Sequence, residues 1–109
     1  MNDVIPITRK KPVLERTIEN YLRDKCKAMG FMCIKLNPSG LVGIPDRMVI
    51  GNGRVVFVEL KRPGGKPRPS QLAVHARMRE CGADVRVIDN HADSMALIAE
   101  IAANPKELA

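Results

Sequence analysis

Between Asp46 and Lys61 the chain runs Asp-Arg-Met-Val-Ile-Gly-Asn-Gly-Arg-Val-Val-Phe-Val-Glu-Leu-Lys, two apolar runs joined through Asn52-Gly53. Asn-Gly between such runs selects a two-residue turn whose positive backbone angles match the twist of paired strands. That turn fixes the register. Gly51 then faces Arg54, and counting outward along the ladder brings Asp46 opposite Glu59. Side chains alternate along a strand, so the two carboxylates leave the same face, with Cβ atoms roughly 4.5–5.5 Å apart. Lys61 leaves that face about 6.6 Å further on. Met48, Ile50, Val55 and Phe57 share the face toward the turn, so it is expected to be apolar at one end and charged at the other.

Two bare carboxylates this close repel unless a proton or cation lies between them. A hard divalent ion such as Mg²⁺ suits the pair. It takes one or two protein carboxylates, keeps several waters and binds phosphate oxygens. Such an ion activates water and offsets charge on a phosphate in the transition state, and a nearby amine such as Lys61 orients that water. Glu-Leu-Lys alone reads equally as a surface ion pair worth about 0–1 kcal/mol. Asp46 in register, after the Gly43-Ile44-Pro45 turn, moves the reading toward chemistry.

The flanking sequence supplies the rest of one domain. Residues 1–12, with Pro6, Pro12 and Arg9-Lys10-Lys11, read as a basic flexible leader to a domain over 13–109. Leu14, Ile18, Leu22, Cys26 and Met29 form a helical stripe over 13–29, stopped by Gly30. Residues 31–36 read as a strand and 37–45 as a Pro/Gly loop. A second loop over 62–69 leads to a helix over 70–80. A strand follows at 85–88, then a helix capped by Asn90 and running to about Ala103. The order αβββαβα predicts an α/β fold, a mixed sheet flanked by helices.

Composition excludes several classes. There is no Trp, and aromatic residues make up 3% of the chain, which argues against single-strand binding by base stacking. The net charge of +6 favours polyanionic partners, or simply a solvated basic surface. Cys26, Cys33 and Cys81 form no zinc-ligand pattern and are expected as buried free thiols. No signal peptide or membrane-length apolar run is visible, so a soluble, cytoplasmic protein of bacterial or phage type is expected.

The residues Gly43-Ile44-Pro45-Asp46-Arg47 and Val56-Phe57-Val58-Glu59-Leu60-Lys61 resemble the PD-(D/E)XK nucleases. More narrowly, they resemble the virus-type replication-repair nuclease domain, VRR-NUC. The likeness runs from about Leu14 to Asp89 and takes in the opening helix, the Lys61–Pro67 loop, Gln71 and the stretch from Gly82 to Asp89. It implies a restriction-endonuclease-like αβββαβ core and an endonuclease dependent on Mg²⁺ or Mn²⁺. Asp46 and Glu59 would be metal ligands, aided by the Leu60 carbonyl, with Lys61 beside the attacking water. The family also places a first-helix glutamate near the metal. Glu15 matches best and Glu19, one turn on, is the substitute. Gln71 corresponds to the glutamine opening the second helix, although such a residue is often only a cap. His75 is set aside as a packing or surface residue.

Arg62, Lys66 and Arg68, with Arg9, Lys10 and Lys11, are expected to hold DNA phosphates without reading bases. The resemblance further implies a homodimer acting on four-way (Holliday) junctions or related branched DNA in phage-type replication and repair. Neither a nucleotide cofactor nor a membrane partner is expected. Three alternatives stay open: a restriction-like or single-strand nuclease of the same fold, an inactive DNA-binding module, and a scaffold with ordinary salt bridges.

Overall fold

The Asn-Gly turn forms as the sequence dictates. In the computed structural model, which describes residues 13–36 and 40–103, Asn52 has φ 47° and Gly53 φ 82°. They join strand β2 (Arg47–Gly51) to strand β3 (Arg54–Leu60), which pair antiparallel from Gly51↔Arg54 to Arg47↔Val58. Strand β1 (Met32–Lys35) pairs antiparallel with β2, and strand β4 (Val85–Ile88) runs parallel to β3. The sheet order is β1-β2-β3-β4. Helix α1 (Glu15–Ala28) precedes β1, α2 (Pro69–Glu80) makes the crossover from β3 to β4, and α3 (His91–Ala102) follows β4. The architecture is the expected α/β one, a mixed sheet flanked by helices. Arg9, Lys10, Lys11 and the boundary at residue 12 lie outside the described residues.

Both sheet faces carry apolar residues, and tertiary packing decides between them. The deep core forms on the face opposite Glu59, from Val49, Val56, Val58, Leu60 and Ile88. Ile18, Leu22 and Cys26 of α1 and Leu97, Ile98 and Ile101 of α3 cover it. The apolar end of the Glu59 face is therefore not the main core. Met32 and Val55 on that face are 57% and 48% exposed. Helix α2 covers only its β3–β4 side.

Asn52 does more than turn the chain. Its side-chain amide donates to the Ile101 and Ala102 carbonyls, at 2.8 and 3.3 Å, closing the C-terminal end of α3. Asn90 caps the other end, accepting from the Asp93 amide at 2.7 Å. Asn52→Ala is expected to cost about 2 kcal/mol, combining left-handed strain with a lost hydrogen bond. Asn52→Gly should cost about half as much, because glycine keeps the backbone angle. Urea denaturation of both variants checks this; equal losses would remove the conformational part.

All three thiols are free, but only Cys26 is fully buried, Cys33 is half-buried and Cys81 is exposed. The expectation of buried thiols fails at Cys81 because it terminates α2 on the outer surface. Among the described residues no helix is long and apolar enough to cross a membrane.

Candidate active site

Glu59 is a carboxylate at 1% exposure, placed there by its position near the end of the central strand β3. Burial without full compensation would expel such a group, so its partners define the site. One oxygen is well served. Glu59 Oε2 accepts from Gln71 Nε2 at 2.9 Å and lies 3.3 Å from Lys61 Nζ. The other oxygen, Oε1, is buried with no hydrogen-bond partner.

Asp46 immediately precedes β2, in line with the register that pairs Arg47 with Val58. Its Oδ2 accepts from the Leu60 amide at 2.8 Å, which ties the Gly43–Asp46 loop to the end of β3. Burial raises the Glu59 pKa to about 7, and the Asp46 charge is the next cause; Lys61 opposes both. Burial also pushes Asp46 up, against the Leu60 hydrogen bond. The structure thus holds two neighbouring acids that resist ionising together.

Lys61 is bound at both ends of this arrangement. Besides Glu59, its Nζ donates to Gln71 Oε1 at 3.1 Å, and its side chain is only 12% exposed. Gln71, 7% exposed, also accepts from the Arg68 amide at 2.8 Å. It is therefore both the helix cap and a clasp between the acid and the amine. Helix α2 seats against the Asp46 loop at Gly43, where an added Cβ would meet Val74 Cγ2 at 2.8 Å and the Ser70 carbonyl at 2.9 Å.

The two α1 glutamates separate in the structure. Glu19 Oε2 accepts from Arg47 Nε at 2.7 Å and lies 3.7 Å from Lys35 Nζ, so its charge is committed to an ion pair. Glu15 is exposed in the first turn of α1, and its charge reaches Glu59. Arg62, Lys66 and Arg68 are exposed on the loop after Lys61. A turn closed by the Gly65 amide on the Arg62 carbonyl, 2.8 Å, shapes that loop. The Asp89 carboxylate anchors it by accepting from the Gly64 amide at 3.0 Å.

His75, set aside on sequence, is fully buried with Nε2 3.9 Å from Glu59 Oε1. Burial, then the Arg79 charge, lowers its pKa. The available signal was its spacing, one helical turn beyond Gln71 and so on the same face. Arg47, whose guanidinium neutralises Glu19 beneath the site, was likewise not foreseen.

The donor set fits a hard divalent cation. No group of three or more acids, histidines and cysteines gathers for a metal among the described residues. Mg²⁺ needs only one or two carboxylates, however, and Glu59 Oε1 is buried with an unused lone pair.

The raised carboxyls also give stability a sign. A carboxyl whose folded pKa is raised stabilises the fold below its ordinary value and loses that contribution as pH rises. For Glu59 the window runs from 4.5 to about 7 and is worth on the order of 3 kcal/mol. Asp84 and Glu100 are shifted down by arginine partners, and their contributions fade only at more acidic pH. In EDTA, the wild type should therefore lose stability between pH 5 and 8 relative to Glu59→Gln. Parallel pH trends in urea titrations of the two proteins would contradict this assignment.

Comparison with known proteins bears on the fold and the family. No family model matches the chain. A protein named as a nuclease, p44, from Acyrthosiphon pisum secondary endosymbiont phage 1 is 40% identical over 79 residues, which are 72% of this chain and 85% of that protein. A solved VRR-NUC domain superposes with a TM-score of 0.72 at 34% identity, covering 80% of this chain and 96% of the other. With that degree of likeness in both sequence and fold, the chain belongs to the VRR-NUC family of nucleases.

Proposed function

We propose that the protein is a Mg²⁺- or Mn²⁺-dependent endonuclease that hydrolyses DNA phosphodiester bonds, with branched DNA such as a four-way junction as its substrate. The observation that carries the reading is the buried Glu59 Oε1, left without a partner beside Asp46. Asp46, Glu59 and the Leu60 carbonyl hold the cation in this reading, and Glu15 reaches toward it from α1. When bound, the cation supplies an acidified water and an electrophilic contact to the scissile phosphate. Lys61 Nζ orients the attacking oxygen and offsets phosphate charge. Gln71 keeps both Glu59 and Lys61 in place. Arg62, Lys66 and Arg68, with Lys10 and Lys11, hold phosphates on either side of the cut. Glu19 does not serve the cation, because Arg47 already takes its charge.

Cutting two strands of a junction requires two such sites, and one chain offers one. A symmetric homodimer meets that need. The exposed Met32 and Val55, which flank Ile50 in one cross-strand row on the α2 side of the sheet, support it as an apolar surface open to a second copy. The testing experiment incubates supercoiled plasmid and a synthetic four-way junction with the protein, in Mg²⁺ or in EDTA. Paired nicks at the junction in Mg²⁺ alone are expected, from a species of twice the 12.0 kDa chain mass by light scattering. Metal-independent cutting, or binding with none, would refute the reading.

A further inference from the structure

Three polar atoms, one on Glu59 and two on the ring beside it, are buried and unpartnered: Glu59 Oε1, His75 Nδ1 and His75 Nε2. Buried polar groups without partners are rare in folded proteins, and here three of them cluster. An apolar residue at position 75 would pack between α2 and the sheet without this cost. The ring is fully buried and its Nε2 is 3.9 Å from Glu59 Oε1, about 1 Å beyond a hydrogen bond.

The contacts on Glu59 are one-sided. Gln71 and Lys61 both serve Oε2. A carboxylate that binds a dication is ionised, and a buried ionised carboxylate needs donors at both oxygens. His75 lies on the same helical face as Gln71, one turn further along α2, so the two can hold the carboxylate from behind. We infer that His75 is a positioning residue for Glu59, whose Nε2–H becomes the donor to Oε1 when a divalent cation takes the carboxylate. This rests on the reading of Glu59 as a metal ligand. Ligand carboxylates are commonly held by such outer contacts, and losing one weakens metal affinity by roughly 10–100-fold.

The neutral ring carries one proton, so this role selects the Nε2–H tautomer. The Gly43 carbonyl also lies near the ring, and donation of the ring proton to it is the competing arrangement. His75→Leu keeps much of the volume and removes the donor, whereas His75→Gln restores one.

The experiment measures Mn²⁺ affinity by calorimetry for wild type, Glu59→Gln, His75→Leu and His75→Gln, with unfolding of each recorded in EDTA. The expected result is loss of uptake in Glu59→Gln, about 10–100-fold weaker binding in His75→Leu, and recovery of most of it in His75→Gln. The folding midpoint of His75→Leu in EDTA should not fall below that of wild type. Wild-type affinity in His75→Leu, or equal weakness in Leu and Gln variants, would overturn the inference while leaving the metal site standing. Absence of Mn²⁺ uptake by wild type, or uptake indifferent to Glu59→Gln, would instead overturn the site itself. Should the His75 variants not fold, long-range ¹H–¹⁵N spectra of wild type with Mg²⁺ decide the matter. A proton on Nε2 supports the role, and one on Nδ1 alone excludes it.

Discussion

Asp46→Asn is expected to reduce metal-dependent DNA cleavage about 10³-fold or more while leaving the fold intact. The substitution removes a charge and very little else. Asparagine has nearly the same volume, and its Oδ1 can still accept the Leu60 amide that now binds Asp46 Oδ2 at 2.8 Å. What disappears is one of the sheet's two acids proposed to hold the cation. A metal ion contributes several kcal/mol of transition-state stabilisation, and about 4 kcal/mol is a factor of 10³ in rate. Stability should hold or rise at neutral pH, because burial and repulsion already work against the ionised pair. The variant therefore separates catalysis from folding. Cleavage at the wild-type rate, measured on the same junction at saturating Mg²⁺, would take Asp46 out of the reaction.

Lys61→Ala should cost about 10²–10³-fold in cleavage rate with DNA affinity retained. That range is typical of losing one preorganised electrostatic donor at a transition state. The amine is not a free surface charge. Its side chain is 12% exposed and its Nζ is bound to Glu59 at 3.3 Å and Gln71 at 3.1 Å. Alanine also removes the nearest positive charge from Glu59, whose carboxyl should then hold its proton to higher pH. The activity remaining in Lys61→Ala should accordingly rise with pH more steeply than that of wild type. Lys61→Arg is not expected to rescue, since a guanidinium is a wide planar fork that must displace Gln71. Single-turnover cleavage and filter binding on the same substrate distinguish the outcomes. Parallel loss of binding and cutting would make Lys61 a phosphate contact instead.

Several readings reached from local chemistry match the structure. Asn52 and Gly53 adopt the positive angles their side chains permit, so the β2–β3 register follows from two residues. That register aligns Asp46 with Glu59. Gly30 ends α1 at φ 76°, and Asn90 caps α3, for equally local reasons. The mixed sheet follows as well, because a hairpin can only be antiparallel and a crossover helix returns its strand in parallel.

Other features needed the folded chain. Alternation put apolar residues on both sheet faces, and only the docking of α1 and α3 chose Val49, Val56, Val58 and Leu60 as the deep core. Glu15 and Glu19 are equivalent on a helical wheel. They differ because Arg47 projects toward the second and pairs with it at 2.7 Å. His75 looked ordinary in sequence and became a buried neighbour of Glu59 only when α2 settled across the end of β3. Turn chemistry is a property of adjacent residues and can be read from them directly. A side chain's burial, its partner and its protonation depend on what arrives from distant parts of the chain, and packing alone supplies that.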